Sequence, residues 1–205
     1  TLFRSSIRCD WLASIDIPNS VTSIGKSAFE HTALTTVIIG NGVTSIGEGI
    51  FNYCNCITSI IVSDENTKYD SRDNCNAIIE TATNTLIIGC KNTIIPNSVT
   101  SIGGCAFYGS GLTSVTIPNS VTYIGEDAFS GCSGLTSITC EATSVPSTGS
   151  SVFSGFALSS ATLYVPSSAL ENYITTDPWS SFGTILQIEE GPFFIETDLT
   201  SLFPT

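Results

Sequence analysis

The chain has 205 residues, 41% of them hydrophobic and only 12% charged, and its 18 acidic and 6 basic side chains give a formal net charge of −12. A surface this acidic repels the phosphates of nucleic acids and of anionic lipids, so we expect neither nucleic acid nor a bare membrane as a partner. No apolar run approaches the roughly 18 residues of a membrane-spanning helix, so we expect no membrane insertion in this segment. The chain has no Met and opens at Thr1 within a repeat unit. We therefore expect a piece of a longer protein, in which a missing signal peptide says nothing about localisation.

One phrase recurs along the chain. LASIDIPNSVTSIGKSAF at 12–29 returns as IIPNSVTSIGGCAF at 94–107 and as LTSVTIPNSVTYIGEDAF at 112–129. The second apolar residue of the IxIP phrase forms a column with steps of 22, 23, 33, 22, 23 and 25 residues. Its members are Ile17, Ile39, Val62, Ile95, Ile117, Cys140 and Val165. One unit is too short to bury its own apolar face, so we expect the units to stack and each column to become a ladder of like side chains.

Each unit predicts the same local structure. The LxxIxI phrase alternates with period two and indicates a strand with Leu and Ile pointing inward. Pro ends the strand, Asn suits the turn, and Ile-Gly and Phe supply the other buried positions. A period of 22–23 residues lies in the leucine-rich-repeat range. The sequence therefore predicts a β-rich leucine-rich-repeat solenoid of about six right-handed coils, with one parallel sheet face.

The repeat is interrupted between Val62 and Ile95. Two apolar runs, 77–79 and 86–88, flank the polar segment ETATNT, which predicts a β-hairpin projecting from the solenoid within about 66–91. Such an insertion is either a tolerated decoration or a binding element. Pairing residue 79 with residue 86 puts Cys75 opposite Cys90, the one pair among eight cysteines whose geometry suits a disulfide.

The C-terminal end predicts a small α/β cap. LYVP at 163–166 repeats the strand phrase, 167–173 predicts a short helix, and 185–188 predicts a closing strand. Solenoids need such caps to cover their last apolar face, and we expect Trp179 and Phe182 in the cap core. We therefore assign 1–160 to the solenoid and 161–190 to the capping segment, and leave 191–205 as a tail of unknown structure.

The pattern LTSVTIPNSVTYIGEDAFSGC at 112–132 resembles the BspA-like, or Treponema pallidum-type, leucine-rich repeat, and the resemblance extends over 9–155. The segment 161–190 is similar to the ends of such proteins from gut Bacteroidetes. The resemblance implies a secreted or surface-anchored protein that adheres to host matrix proteins, host cells or other bacteria. It brings no catalytic residues with it.

Few residues invite catalysis or metal binding. His31 is the single histidine, and we expect no exposed nucleophile beside it. Cys54 and Cys56 are too close in sequence for the usual zinc knuckle. The acidic loop 63–74 lacks the EF-hand spacing and carries basic residues of its own. We therefore predict no enzyme, no catalytic residues, no metal and no cofactor.

The outward face of the predicted sheet is the candidate binding surface. Most of its side chains are Ser and Thr, and one apolar stripe crosses three successive rungs at Ile38, Ile61 and Ile94. Such a stripe marks an interaction surface unless the hairpin or a neighbouring segment covers it, and β-branched residues also simply suit strands. The candidate ligand-binding residues are Ile38, Ile61, Ile94, Thr36, Ser59, Asn92, Ser114, Thr116 and Tyr164 on the face, with Asp70, Arg72 and Asp73 in the insertion.

Together these patterns predict a non-enzymatic module, at the cell surface or secreted, that binds an extracellular protein or glycan of a host or of neighbouring bacteria. The sheet face and the hairpin would hold the ligand. Two alternatives stay open: a passive spacer, and an accessory module of a larger surface enzyme or glycan-utilisation system.

Overall fold

The computed structural model describes residues 13–189, and the predicted tail 191–205 lies outside the described residues. One long side of the molecule consists of parallel strands, about one per turn. In chain order they are β1 (Ala13–Ile17), β3 (Leu34–Ile39), β5 (Ser59–Val62), β10 (Ser114–Ile117), β12 (Ser137–Cys140), β14 (Thr162–Val165) and β15 (Thr184–Gln187). Side chains alternate between buried and outward positions along them, as in β10. The fold is a parallel β-solenoid of about eight turns, against about six expected from the sequence.

These strands form two sheets rather than one. β1, β3 and β5 pair in that order, and β10, β12, β14 and β15 form the second sheet. The register keeps the predicted column, because Ile17 pairs with Ile39 and Ile39 with Val62, while Ile117 pairs with Cys140. The repeat columns are thus confirmed as side-chain ladders.

A second side carries strands of two residues each. They are β2 (Ser23–Ile24), β4 (Ser45–Ile46), β9 (Ser101–Ile102), β11 (Tyr123–Ile124) and β13 (Ser147–Thr148). The Ile of β2, β9 and β11 is buried. The glycine that follows lets the coils approach: a Cβ on Gly125 would lie 2.4 Å from the backbone nitrogen of Gly104.

On the third side, stacked phenylalanines fill the corner of each coil. Phe107 stacks on Phe129 with ring centroids 5.1 Å apart, and Phe129 stacks on Phe153 at 5.9 Å. The N-terminal coils have their own stack, in which the rings of Phe29 and Phe51 are 5.6 Å apart. These residues are the predicted Phe column.

The insertion folds as the predicted hairpin, but it does not project. It contains β6 (Tyr69–Asp70), β7 (Ala77–Glu80) and β8 (Thr85–Gly89). β7 and β8 pair antiparallel with Ile79 opposite Leu86, as predicted. β8 also pairs in parallel with β9, so the hairpin extends the sheet of the second side. The prediction of a protruding hairpin is wrong because its apolar runs are continuous, a pattern typical of strands buried on both faces.

The hairpin divides the interior into two hydrophobic cores. Ile78 and Ile88 pack into an N-terminal core with the residues of coils 17–62. Ala77, Ile79 and Leu86 pack into a C-terminal core that runs on to Phe182. Both faces of the hairpin are therefore buried, and we call residues 77–89 the partition hairpin.

A β-bulge in the partition hairpin overturns the predicted disulfide. The register shifts by one residue between Ile78 and Ile79, so that Ala77 pairs with Gly89. Cys75 and Cys90 are consequently not opposite each other, and both are free thiols. Cys75 packs in the C-terminal core and Cys90 in the N-terminal core. Among the described cysteines, Cys56 is disulfide-bonded.

The C-terminal segment forms the predicted elements. A 3₁₀ turn at Ser167–Ala169 leads into α1 (Leu170–Tyr173), and β15 closes the sheet against β14. Trp179 and Phe182 are buried, and the Trp179 ring meets Tyr173 edge-on with centroids 5.4 Å apart. The aromatic side chains thus cover the last coil, as expected of a cap.

Candidate functional site

The outward row of the first sheet begins with an acidic residue and becomes apolar. Strand pairing aligns Asp16 with Ile38 and Ile38 with Ile61. Ile38 is half-buried, whereas Ile61 is 47% exposed. Thr36 and Ser59 are also paired and lie two positions earlier on the same face. The structure therefore brings these predicted residues together.

The third member of the predicted stripe does not sit on the next rung. Residues 93–96 form no strand, and the backbone N–H of Ile94 donates to the carbonyl of Cys75 at 3.1 Å. The N–H of Val62, at the end of β5, donates to the hydroxyl of Ser71 at 3.0 Å. Residues of the insertion thus occupy the place where β5 would pair with the 93–96 segment. The prediction of three successive rungs is wrong for this reason, and Ile94 is left 75% exposed.

The interruption of the sheet creates a groove. It has a volume of about 500 Å³ and runs between the segment 91–97 and β10. Four predicted ligand-binding residues line it: Asn92, Ile94, Ser114 and Thr116. Lys91, Asn97 and Glu141 also line it, and sequence reasoning missed all three. We call this site the interruption groove.

The interruption groove contains a basic side chain, Lys91, that differs from the other described basic side chains in having no ion pair. Of the four basic side chains within residues 13–189, Lys26, Lys68 and Arg72 form ion pairs at 3.0, 3.0 and 2.6 Å. Lys91 forms none within that range. The repeat pattern could not predict this isolation of Lys91 from other charges, because Lys91 lies in the irregular coil.

A second groove of about 770 Å³ lies at the C-terminal end of the same face. Strand pairing aligns Thr139 with Tyr164 and Tyr164 with Leu186, and all three line the groove. Leu186 is 45% exposed and was not among the predicted residues. Extending the outward column by one more turn, from Tyr164 into the closing strand, would have found it.

The three predicted residues of the insertion lie elsewhere. Asp70 is on β6, in the sheet of the second side. The guanidinium of Arg72 binds it through both carboxylate oxygens, and Arg72 also donates to Asn84 at 2.9 Å. Burial by itself raises the pKa of Asp70, but the hydrogen bonds from Arg72 and Thr81 outweigh it and hold that pKa below its ordinary value. This network ties down the insertion, while Asp73 is exposed. A ligand role for these residues stays a prediction.

The single histidine lies in an aromatic cluster. The rings of His31 and Tyr53 are parallel within 5° with centroids 4.5 Å apart, and the hydroxyls of Tyr53 and Tyr108 are 3.0 Å apart. Nearby Cys54 is buried and donates its thiol to the carbonyl of Phe29 at 3.0 Å. Burial raises the pKa of this thiol, which suppresses the thiolate that a cysteine nucleophile needs.

Within residues 13–189, no group of three or more His, Cys, Asp and Glu side chains gathers as metal ligands would. No helix in this range is long and apolar enough to cross a bilayer.

The fold and the repeated ladders define a leucine-rich-repeat solenoid. Residues 7–87 and 77–177 match the model of the BspA type leucine rich repeat region, which spans six copies. The chain belongs to this family. No curated protein matches the chain.

Several solved structures are similar. A leucine rich cell surface protein from Faecalibacterium prausnitzii has a TM-score of 0.53 at 26% identity, over 84% of this chain and 53% of that one. A leucine-rich repeat protein from Bacteroides ovatus has a TM-score of 0.50 at 25% identity, over 86% and 42% of the two chains. One from Eubacterium ventriosum, at 17% identity, TM-score 0.50 and coverage of 89% and 67%, shows the fold alone. This chain thus matches about half the length of the first and less of the second. A source among gut Bacteroidetes stays a prediction.

Proposed function

We propose that this chain is a binding module of a bacterial protein that is displayed at the cell surface or secreted. It captures an extracellular protein or glycan and catalyses no reaction. Membership of the BspA-type family supports this proposal, and so does the likeness to a cell surface protein of Faecalibacterium prausnitzii.

One observation carries the proposal: Ile61, on the outward face of β5, is 47% exposed, and Ile94, which lines the interruption groove, is 75% exposed. Within residues 13–189, Ile94 is the most exposed of the large apolar side chains. Burying apolar surface stabilises a complex by about 25 cal/mol per Å², so an isoleucine kept this far in water favours association with a partner.

The ladder architecture supports binding with a small entropic cost. The face is built from backbone-paired strands whose inward side chains are buried, so its outward side chains are held in place before a ligand arrives. A preformed surface loses little conformational freedom on association.

A non-enzymatic role fits the chemistry of the described residues. The histidine ring is stacked on Tyr53, and the thiol beside it is buried and hydrogen-bonded to a carbonyl. Both side chains are thus engaged in stacking or hydrogen bonding within the coil, whereas a nucleophile and its base need to contact each other and the substrate.

The test is binding of the purified protein to an array of matrix proteins, mucins and glycans. The wild type is compared with the Ile61→Asp/Ile94→Asp double variant, after circular dichroism shows that both fold. We expect binding by the wild type and at least a tenfold loss in the double variant.

The matched control is Ile174→Asp. Ile174 is 42% exposed, like Ile61, but it lies at the end of α1 rather than on a strand of the sheet face. Equal losses in the control and the double variant would contradict recognition by the sheet face. Failure of the wild type to bind any array component would instead favour the passive spacer.

A further inference from the structure

The interruption groove contains polar side chains that form no hydrogen bonds with the rest of the described chain. In the repeat, turn asparagines have structural partners: the amide oxygen of Asn19 accepts the N–H of Asn41 at 3.0 Å, and that of Asn119 accepts the N–H of Thr143 at 3.0 Å. Asn41 also donates its side-chain amide to Glu65 at 2.7 Å. Within residues 13–189, Asn97 is the member of this column whose side chain has no hydrogen-bond partner.

The neighbouring side chains share this property. Asn92, Ser114 and Thr116 line the same groove, and their amide and hydroxyl groups make no hydrogen bond within the described part of the chain. By contrast, Thr93 is committed inside the fold, since its hydroxyl donates to the carbonyl of Asn76 at 2.7 Å. The groove thus offers two amides and two hydroxyls to a ligand.

Lys91, the described basic side chain without an ion pair, also lines the interruption groove. Lys91 is the one basic side chain among residues 13–189 without an ion pair, in a chain whose formal net charge is −12. An acidic surface repels anions in general, so a local cation selects where on that surface an anionic group can bind. Glu141, which lines the groove as well, is an acceptor for hydroxyl hydrogens.

On the basis of the proposed function, we infer that the interruption groove binds a carboxylate-bearing glycan. The carboxylate pairs with Lys91, the sugar hydroxyls exchange hydrogen bonds with Asn92, Asn97, Ser114 and Thr116, and a C–H face of a ring covers Ile94. Paired donors and acceptors on amides and hydroxyls match neighbouring sugar hydroxyls, which also donate and accept.

A glycan fits this groove better than an extended acidic peptide does. Peptides that bind sheets usually add a strand at an open edge through their backbone. β10 is an edge strand of its sheet, but the side chains of Ser114 and Thr116 are exposed on its face. A ligand that only paired with the strand edge would leave these hydroxyls unbound. The ligand therefore lies across the face.

The experiment measures binding of the whole protein to polygalacturonate and to hyaluronan at about 0.15 M salt, where the Debye length of about 8 Å screens the overall charge but not a direct contact. Methyl-esterified polygalacturonate is the neutral matched probe, and polyglutamate is the acidic peptide probe. We expect at least one of the two acidic polysaccharides to bind at least tenfold more tightly than either of these probes.

Four variants locate the site. Lys91→Gln should weaken binding of the acidic polysaccharide at least tenfold, and Lys91→Arg should keep it within about threefold. Glu141→Gln should tighten binding about two- to fivefold, because the amide oxygen still accepts from a sugar hydroxyl while the like charge is removed. Lys26→Gln is the control, since Lys26 is exposed and paired with Glu48 outside the groove.

Each result decides between the inference and its competitors. Equal binding of the acidic and esterified polymers, tighter binding of polyglutamate, or wild-type affinity in Lys91→Gln would overturn the inference. If the array still gives binding that depends on Ile61 and Ile94, the proposed function stands without it. If the array gives no binding and neither polysaccharide binds, both fail.

Discussion

At the scale of single residues, Gly89 sets the fit between the partition hairpin and the repeats. It is the last residue of β8, and its N–H donates to the carbonyl of Ala106 at 2.8 Å. A Cβ at this position would lie 2.0 Å from Cε1 of Phe107, whose ring is fully buried and stacked on Phe129. The ring cannot move aside without disturbing the stack.

Gly89→Ala should therefore destabilise the fold by about 1–3 kcal/mol through overpacking. Urea unfolding followed by circular dichroism measures the change. Gly25→Ala is the control, because a Cβ there meets nothing within 4 Å, and it should change the free energy of unfolding by less than about 1 kcal/mol. Similar effects at both positions would argue against close packing of Phe107 on β8.

At the scale of elements, one bulge decides the chemistry of two cysteines. An unshifted ladder from Ile79 and Leu86 would face Cys75 with Cys90, whereas the bulge sends the two thiols into different cores. Burial raises the pKa of Cys75 to about 11 and also raises the pKa of Cys90. Both thiols are therefore protonated and protected at neutral pH.

Alkylation without reductant tests this arrangement. In the native protein at pH 8, we expect Cys105, which is half-buried and free, to be labelled before Cys75 and Cys90. After denaturation without reductant, both Cys75 and Cys90 should become labelled, as read by mass spectrometry. A linked Cys75–Cys90 peptide would contradict the bulged register of the partition hairpin.

The network around Asp70 anchors the start of the insertion to its second half. Asp70 binds Arg72 and accepts a hydrogen bond from Thr81 at 2.8 Å, and Arg72 continues the network to Asn84. The pKa of Asp70 is lowered from its ordinary value of 3.8, because these bonds favour the carboxylate more than burial opposes it. Its contribution to stability is thus complete above about pH 4 and is lost as the pH falls through the lowered pKa.

Asp70→Asn should cost about 1–2 kcal/mol at pH 7, a value kept small because the ion pair is about a quarter exposed. The difference from the wild type should shrink as the pH is lowered from 4 to 2, since the wild-type carboxylate becomes protonated. Urea unfolding at several pH values measures it, with Asp64→Asn, an exposed acid of the same loop, as control. A difference independent of pH would rule out the charge as its origin.

At the scale of the whole molecule, the solenoid has two hydrophobic cores, and the partition hairpin between them packs into both. Ile78 and Ile79 are adjacent and fully buried, yet Ile78 belongs to the N-terminal core and Ile79 to the C-terminal core. In repeat proteins, stability comes from local units and their interfaces, so damage to one core should remain partly local.

Ile78→Ala and Ile79→Ala should each lower the free energy of unfolding by about 2–5 kcal/mol. Hydrogen exchange read by mass spectrometry should show faster exchange mainly in β1, β3 and β5 for Ile78→Ala, and mainly in β10 and β12 for Ile79→Ala. The two variants are matched in residue type, burial and position, so each controls for the other. The same exchange pattern in both would indicate one cooperative unit.

The sequence alone determined the regular part of this protein. Recurring columns specify the strands, their parallel pairing and the Phe stacks, because identical units bury their apolar faces only by stacking in register. The outward rows follow from period two, which places Ile61, Thr116 and Tyr164 on one face. The pairing of Ile79 with Leu86 was also readable, since two apolar runs flanked a polar turn.

The tertiary structure decided the features of the insertion and the irregular coil, whose sequence does not follow the repeat. A hairpin can project or insert, and the burial of both its faces settled that it inserts between two cores. A single extra residue in its ladder then separated Cys75 from Cys90. Because the insertion occupies the edge of β5, the segment at 93–96 forms no strand, and the interruption groove with Lys91 and Asn97 arises there. Such features depend on which surfaces compete for burial, and that competition is resolved only when the whole chain is packed.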